Sequence, residues 1–469
     1  MRSCIAGTRR QLMKPIQEID MTQGSLWKKI LWFGLPLMAS NVLQILFNIA
    51  DVAVVGQFAG ANALGAVGST SMLISLFTGF LIGMGSGVNV AVARHLGARK
   101  EKDVEQAVHT AALLCLLVGL FIMTAGLLST RSFLELLGTK PVLIDDAETY
   151  LRMYFLGMPA MAIYNFGNAV LSAAGDTKRP LYYLTLSGAV NVVLNLLLVI
   201  VFKMSVVGVA IASVVSQCLS AVLIIRALLK SKESYSLRMR KLQLHMDKAR
   251  FILPMGLAAG LQSAVFAIAN LFLQGAVNTQ SAAVVSGNAA AANADALIYA
   301  ILQGFYMACA SFMSQNYGAR NRKRVLKTYY ITTLYSLITG IVGGAIMVIF
   351  ARPYMMLFTT EPAVIEAGVI RLTVMGYASA VAVFMDNTIP ASRALGKSII
   401  PMIIVMIGSC VFRVTWVYTV YAHYGTLVSL YLLYPTSFAL SGIAEVIYFA
   451  HCYKKLVKPL DAPPLPENA

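Results

Sequence analysis

The chain has 469 residues, 58% of them hydrophobic and only 12% charged, about half the ~25% charge that a soluble surface carries. Ordinary water-soluble domains are excluded, because the missing charge requires a surrounding that tolerates apolar surface, which is lipid. A formal net charge of +17 would point to nucleic acid in a soluble protein, so the placement of the basic residues has to decide what it means here.

Twelve apolar stretches follow one another, each long enough to cross ~30 Å of hydrocarbon as a helix. The first, residues 26–56, carries Pro36 and a single acid, Asp51; the second, 61–93, runs into His95-Leu-Gly97-Ala98-Arg99. Residues 104–128 and 147–171 come next, then 181–202 with Asn191 and Asn195, and 206–229 with Ser213. After a basic linker come 251–277, with Pro254 and no acid, and 282–313, with Asp295, Tyr299 and Gln303. The last four are 325–350, 364–391 with Asp386, 399–421 with Arg413, and 426–453 with Glu445. The resulting division is a tail at 1–24, a six-helix lobe at 25–230, a linker at 231–249, a second six-helix lobe at 250–453 and a tail at 454–469.

Basic residues alternate with the loops. Arg131, Lys140, Lys203 and Arg352 fall on one side and Arg152, Arg371 and Arg413 inside spans; every other Lys and Arg falls on the side of the N-terminus. The positive-inside bias therefore predicts both termini in the cytoplasm. The first 25 residues are polar and basic, which predicts no cleavable signal peptide. Six cysteines (Cys4, Cys115, Cys218, Cys309, Cys410 and Cys452) are scattered without metal-ligand spacing and read as packing residues. No GxxxxGK[ST] run is present, so transport driven by ATP on this chain is not expected. Five His and dispersed acids form no catalytic cluster, and an enzyme is not expected either.

The chain also repeats itself with a shift of about 220 residues. Leu35-Pro36 returns as Leu253-Pro254, Phe47 to Asp51 as Phe266 to Asn270, and His95-Leu-Gly-Ala-Arg99 as Asn316-Tyr-Gly-Ala-Arg320. Gly175-Asp-Thr-Lys-Arg-Pro180 is matched by Gly396-Lys397-Ser398 followed by Pro401. Six plus six helices of like orientation enclose a cleft between the halves, and rocking about that cleft is a transporter architecture.

A carboxylate within hydrocarbon costs about 2.5–3.5 kcal/mol on insertion scales and normally faces a cavity or a partner. Asp51 is the first candidate, since one carboxylate can take up a proton or Na+ and so couple an ion to a conformational change. Asn191 and Asn195 lie four apart and share a helix face. Pro36 is a candidate hinge, because proline removes a rung of the helical ladder. Asp295, Asp386 and Arg413 form an alternative second-lobe site, in which Arg413 is placed to neutralise either acid.

The first-helix segment from Pro36 to Asp51, the doubled Gly-Ala-Arg loops, Leu171-Ser-Ala-Ala-Gly-Asp-Thr-Lys-Arg-Pro180 and Phe312-Met-Ser-Gln-Asn-Tyr-Gly-Ala-Arg320 together resemble the multidrug and toxic compound extrusion (MATE) family, in the first lobe its DinF-like branch. The resemblance implies an all-α, V-shaped membrane protein of two six-helix bundles related by pseudo-two-fold symmetry. It implies an antiporter that expels organic, often cationic compounds in exchange for H+ or Na+. It also implies a polar pocket around Asp51 made by Gln44, Tyr150, Asn168, Asn191, Asn195 and Ser213, with Met38, Gln44 and Asn168 near the substrate. This sequence has Asn195 where the pattern commonly has Asp, and one carboxylate fewer favours H+ over Na+. No cofactor is expected beyond the coupling ion, and no metal beyond Na+ at Asp51. The expected partners are organic cations and membrane lipid, with no nucleic acid, and the expected form is a monomer in the inner membrane of a prokaryote. The alternative is a flippase for a lipid-linked saccharide, against which stands the shortage of intramembrane arginine.

Overall fold

In the computed structural model, which describes residues 19–461, unbroken helix is the direct consequence of the apolar runs: in hydrocarbon each backbone N–H must find its partner within its own segment. Eleven single helices are long and apolar enough to span a membrane. They are α1 (Leu26–Ala59), α2 (Ala61–Gly97), α3 (Glu101–Leu136), α5 (Lys178–Val201), α6 (Ser205–Lys230), α7 (Met246–Asn278), α8 (Ala282–Gly318), α9 (Arg322–Ile349), α10 (Pro362–Ala394), α11 (Ile399–Tyr424) and α12 (Leu427–Leu460). The twelfth, α4, consists of two 16-residue pieces, Pro141–Leu156 and Met158–Ala173. The break at Gly157 has a visible cause: Pro159 follows it without an N–H to give, and Gln217 of α6 presses so close that a Cβ on Gly157 would meet its Oε1 at 2.1 Å. Large apolar side chains such as Phe121, Leu128, Val193 and Ile447 face outward, as a lipid-facing surface requires.

Helix ends carry the expected chemistry. Ser281 caps α8 through Val284 N–H, Asn321 caps α9 through Arg324 N–H and Thr426 caps α12 through Ser429 N–H. Proline opens α4 at Pro141 and α10 at Pro362. Pro36 lies inside α1, which continues as helix on both sides of it.

The repeat is legible in the backbone itself. After α2, Arg99 takes a left-handed φ of 56° with Lys100 N–H returning to His95 O; after α8, Arg320 takes 55° with Asn321 N–H returning to Asn316 O. Gly175 and Gly396, at 92° and 82°, close α4 and α10 in the same way. Both pairs are the sequence matches of the two halves.

The lobes meet along a seam on the linker side. There α2 crosses α7 where Gly83-x-x-x-Gly87 faces Gly256-x-x-x-Gly260, and a Cβ on Gly83 would stand 2.3 Å from Gly260 N. Small residues at this spacing let membrane helices touch backbone to backbone. The helix ends cross symmetrically: Gly97 lies against the Gln315 carbonyl and Gly318 against that of Arg94. Ser311 Oγ donates to Asn89 Oδ1 at 3.0 Å and Gln315 Nε2 to Ala173 O at 2.7 Å. The linker is packed too, with Tyr235 and Leu237 buried, Lys241 Nζ 2.8 Å from Glu105 and Lys248 Nζ 2.7 Å from Asp103. Farther from the linker the lobe contacts extend to Asn41 Nδ2 on Ala300 O, 3.0 Å, and to Gly79 against Ser263.

Two sequence expectations change. Arg393, read as a loop residue, lies in the last turn of α10 and turns inward, its Nη2 donating to Gln262 Oε1. The last helix runs to Leu460, beyond the predicted end at 453. Arg2, Arg9, Arg10, Lys14 and Cys4, with the rest of residues 1–18 and residues 462–469, lie outside the described residues.

Candidate functional site

Asp51 projects from α1 one turn before the helix widens into a π-helical turn at Val55–Ala59. On α5, Asn195 likewise precedes a π-helical turn, Leu197–Val201. Such turns interrupt the regular register and are frequent at functional sites. The two side chains meet: Asn195 Nδ2 donates to Asp51 Oδ1 at 2.5 Å and also lies 3.3 Å from Asn191 Oδ1. Asn195 is the only side chain bonded to Asp51 among the described residues, and no ion pair there involves Asp51. The Oδ1 of Asn195 is itself buried without a partner.

Asp51 lines a cavity of about 360 Å³ in the first lobe together with Gln44, Tyr150, Asn191 and Ser213. Five of the residues grouped around Asp51 by sequence, counting Asn195, are therefore brought together. Asn168 is not among the lining residues; it sits on the second piece of α4, where its Oδ1 accepts from Ser172 Oγ at 3.4 Å. Met38 is buried in the seam, packed on Gly304 of α8, and so does not face this cavity. Sequence reading missed Ser71 and Thr78 of α2 and Ser216, Gln217 and Ser220 of α6, all on the wall. Their signal was present: Ser71, Ser75 and Thr78, and likewise Ser213, Ser216, Gln217 and Ser220, recur at helical spacing within apolar runs and so mark one polar stripe each.

A second cavity, of about 450 Å³, lies between α2 and the second lobe and is lined by Asp295, Tyr299, Gln303, Asp386 and Arg413. Ser75 and Ile82 of α2 border both cavities, so the two chambers adjoin. Here one expectation is corrected. The partner of Asp295 is Arg371, not Arg413: Arg371 Nη2 and Nε reach Asp295 Oδ2 at 2.6 and 3.1 Å, and its Nη1 reaches Asn288 Oδ1 at 2.5 Å. Arg371 is on α10 and Asp295 on α8, and the close packing of these two helices settles the pairing. Arg413, from α11, donates instead to Ser437 Oγ at 3.1 Å and lies over the rings of Tyr434 and Phe438 at 4.8 and 5.2 Å. Glu445 is fully buried, with Arg393 as its electrostatic neighbour. Among the described residues no cluster of three or more His, Cys, Asp or Glu is arranged to hold a metal ion.

Comparison with known proteins gives the same layout. A family model described as MatE matches residues 36–197 and again 254–419, one match per lobe. The probable multidrug resistance protein YpnP of Bacillus subtilis (strain 168) is 30% identical over 353 residues, 74% of this chain and 78% of its own. YoeA of the same organism, also a probable multidrug resistance protein, is 25% identical over 94% of this chain and 97% of its own. The solved outward-facing conformation of a multidrug resistance MATE family transporter of the MOP superfamily superimposes with a TM-score of 0.87 at 22% identity, covering 96% of this chain and 100% of that one.

Proposed function

We propose, given that this chain belongs to the MatE family of multi-pass membrane transporters, that it is a secondary active antiporter that exports organic cations in exchange for H+, with Asp51 as the coupling carboxylate. The observation that carries the reading is the company Asp51 keeps: a cavity wall and one neutral amide, with no lysine or arginine among the described residues paired to it. A carboxylate held this way is charged at a cost, and a single proton removes the charge. Asn195 brings no second carboxylate to the site, and one negative charge fewer weakens Na+ binding more than it weakens protonation of Asp51. Asn191, Ser213 and Tyr150 complete the ion site, while Gln44 faces the same chamber.

Coupling then needs a change of shape that depends on the protonation of Asp51. Pro36 supplies the bending point of α1, since the carbonyl one turn before it has no N–H to bind. Loss of charge at Asp51 lets that half of α1 settle against the apolar side of the cavity, and the lobes rock about the seam. The basic-residue bias puts both termini in the cytoplasm, and the chain is taken as a monomer of the inner membrane. We assign it transport and no catalysis. The flippase reading is weakened because Arg371 is neutralised by Asp295 and Arg152 by Glu148 at 2.7 Å, which leaves too little free positive charge for a pyrophosphate.

The deciding experiment is efflux from proteoliposomes under an imposed pH or Na+ gradient. Asp51→Asn is expected to abolish efflux driven by the pH gradient while the protein still inserts. If Asp51→Asn transports like wild type and Asp386→Asn or Asp295→Asn does not, coupling belongs to the second lobe.

A further inference from the structure

On the linker side, α9 opens with a cluster of bases. Arg322, Lys323 and Lys327 line a groove of about 580 Å³ bounded by α9, the start of α1 and the end of α12. Among the described residues that line it there is no Asp or Glu. Arg322 Nε donates to the Tyr453 hydroxyl of α12 at 3.2 Å, whereas Lys323 and Lys327 take part in no ion pair or hydrogen bond among the described residues. Ile331 is buried at the floor. Trp27 forms the α1 wall, its ring edge-on to that of Tyr335 at 5.5 Å and its carbonyl accepting from the Tyr335 hydroxyl at 3.2 Å.

Beyond the bases, the character of α9 changes along a single face. Lys323, Lys327, Tyr330, Leu334, Ile338 and Ile341 follow one another at spacings of four and three, so they form one stripe, and all six are exposed. From the helix start that stripe is cationic, then aromatic, then aliphatic, the order in which headgroup, interface and acyl chain succeed one another across a leaflet. A soluble anion would use only the cationic end, and a water-soluble protein cannot follow the stripe into hydrocarbon. We infer that this groove binds one anionic phospholipid, its phosphate between Lys323 and Lys327 and one acyl chain laid along Leu334 and Ile338. Arg322, held by Tyr453, closes the head end. Trp27 belongs to the first lobe and the lysines to the second, so a lipid seated here touches both. The inference needs only a chain that spans the membrane, and neither coupling ion nor cargo enters it.

Trp27, Trp32 and Trp416 are the tryptophans of the chain, so Trp32→Phe with Trp416→Phe leaves Trp27 as the sole indole. The test is quenching of its fluorescence in the full chain, reconstituted in phosphatidylcholine vesicles that contain rising fractions of a brominated lipid. That lipid is phosphatidylglycerol, or phosphatidylcholine for comparison, brominated near the ester end of one acyl chain. Half-maximal quenching is expected at an about tenfold lower mole fraction of the phosphatidylglycerol, the attraction of one to two basic residues for a headgroup. Lys323→Gln with Lys327→Gln should erase that preference, and Lys323→Arg with Lys327→Arg should keep it. Trp32, which is exposed and outside the groove, should show no preference as the sole indole. Inorganic phosphate in the buffer should leave the quenching of Trp27 unchanged. Equal fractions of the two lipids at Trp27 overturn the inference, as does a preference that survives the glutamine pair. So does a tenfold preference at Trp32, which would mean a bulk field instead of a groove, or displacement of the lipid by phosphate, which would mean a site for free anions. Should the Trp416 replacement fail to fold, the difference between wild type and Trp27→Phe reads the same titration.

Discussion

Asn195 and Asp51 show how one atom's difference sets the character of a site. The amide shares the carboxylate's shape but brings an N–H and no charge, and it bonds Asp51 directly. Asn195→Asp would place two carboxylates where one now stands, and one of the pair must then be neutralised by a cation or a proton. The expected outcome is Na+-stimulated efflux in proteoliposomes in place of efflux driven by the pH gradient alone; an unchanged ion preference would remove the argument for protons. Asp51 as an acid in an apolar run and Asn191 with Asn195 as one helix face were readable from the residues, whereas Gln44, Tyr150 and Ser213, which the structure brings together with them, entered through the family resemblance. The ion pair of Asp295 was not readable, because whether Arg371 or Arg413 faces it depends on the rotation of α10 and α11 about their own axes, which no spacing along the chain reports.

At the scale of the element, two features invite measurement. The α2–α7 crossing has no room for a side chain at Gly83, where a Cβ would stand 2.3 Å from Gly260 N. Gly83→Leu is expected to cost at least the ~1–3 kcal/mol of core overpacking and to lower the Tm in detergent. Gly68, with open space around it, gives a control: Gly68→Ala should leave the Tm unchanged or raise it slightly. The second feature is the segment before α1. Met21 is fully buried and its carbonyl accepts from Asn316 Nδ2 and Arg324 Nη2, both at 3.0 Å, while Ile19 N–H donates to Gly175 O. Arg324 also binds the carbonyls of Gln23 and Gly24, so a few residues tie the first lobe to the second. Arg324→Ala should speed amide exchange across residues 19–25 by about tenfold or more, given ~1.5–3 kcal/mol for hydrogen bonds to a charged donor. The polarity of this stretch predicted only a tail, since its anchoring depends on partners some three hundred positions away.

For the whole molecule, the seam lies on the linker side and the chambers lie beyond it, the arrangement of a cleft open away from the linker. Movement to the opposite state has to part Gly97 from Gln315 and Gly318 from Arg94, and to break Lys248–Asp103. Orientation is testable in a cysteine-free background: Lys140→Cys should react with an impermeant maleimide in intact cells, and Lys323→Cys only after permeabilisation. The reverse pattern would invert the topology and with it the direction assigned to transport.

The sequence by itself determined the solvent, the number of spans, the duplication and the acid of the first-lobe cavity. Each of these follows from a local quantity: apolar length, charge density in loops, or an ionisable group within an apolar run. Tertiary structure alone decided that α4 breaks at Gly157, that Arg393 turns inward, that Arg371 neutralises Asp295, and that Arg413 and Asp386 face one cavity. These depend on helix rotation and on backbone-to-backbone approach. Side chains far apart in the chain meet only when the glycine-lined crossings bring their helices together.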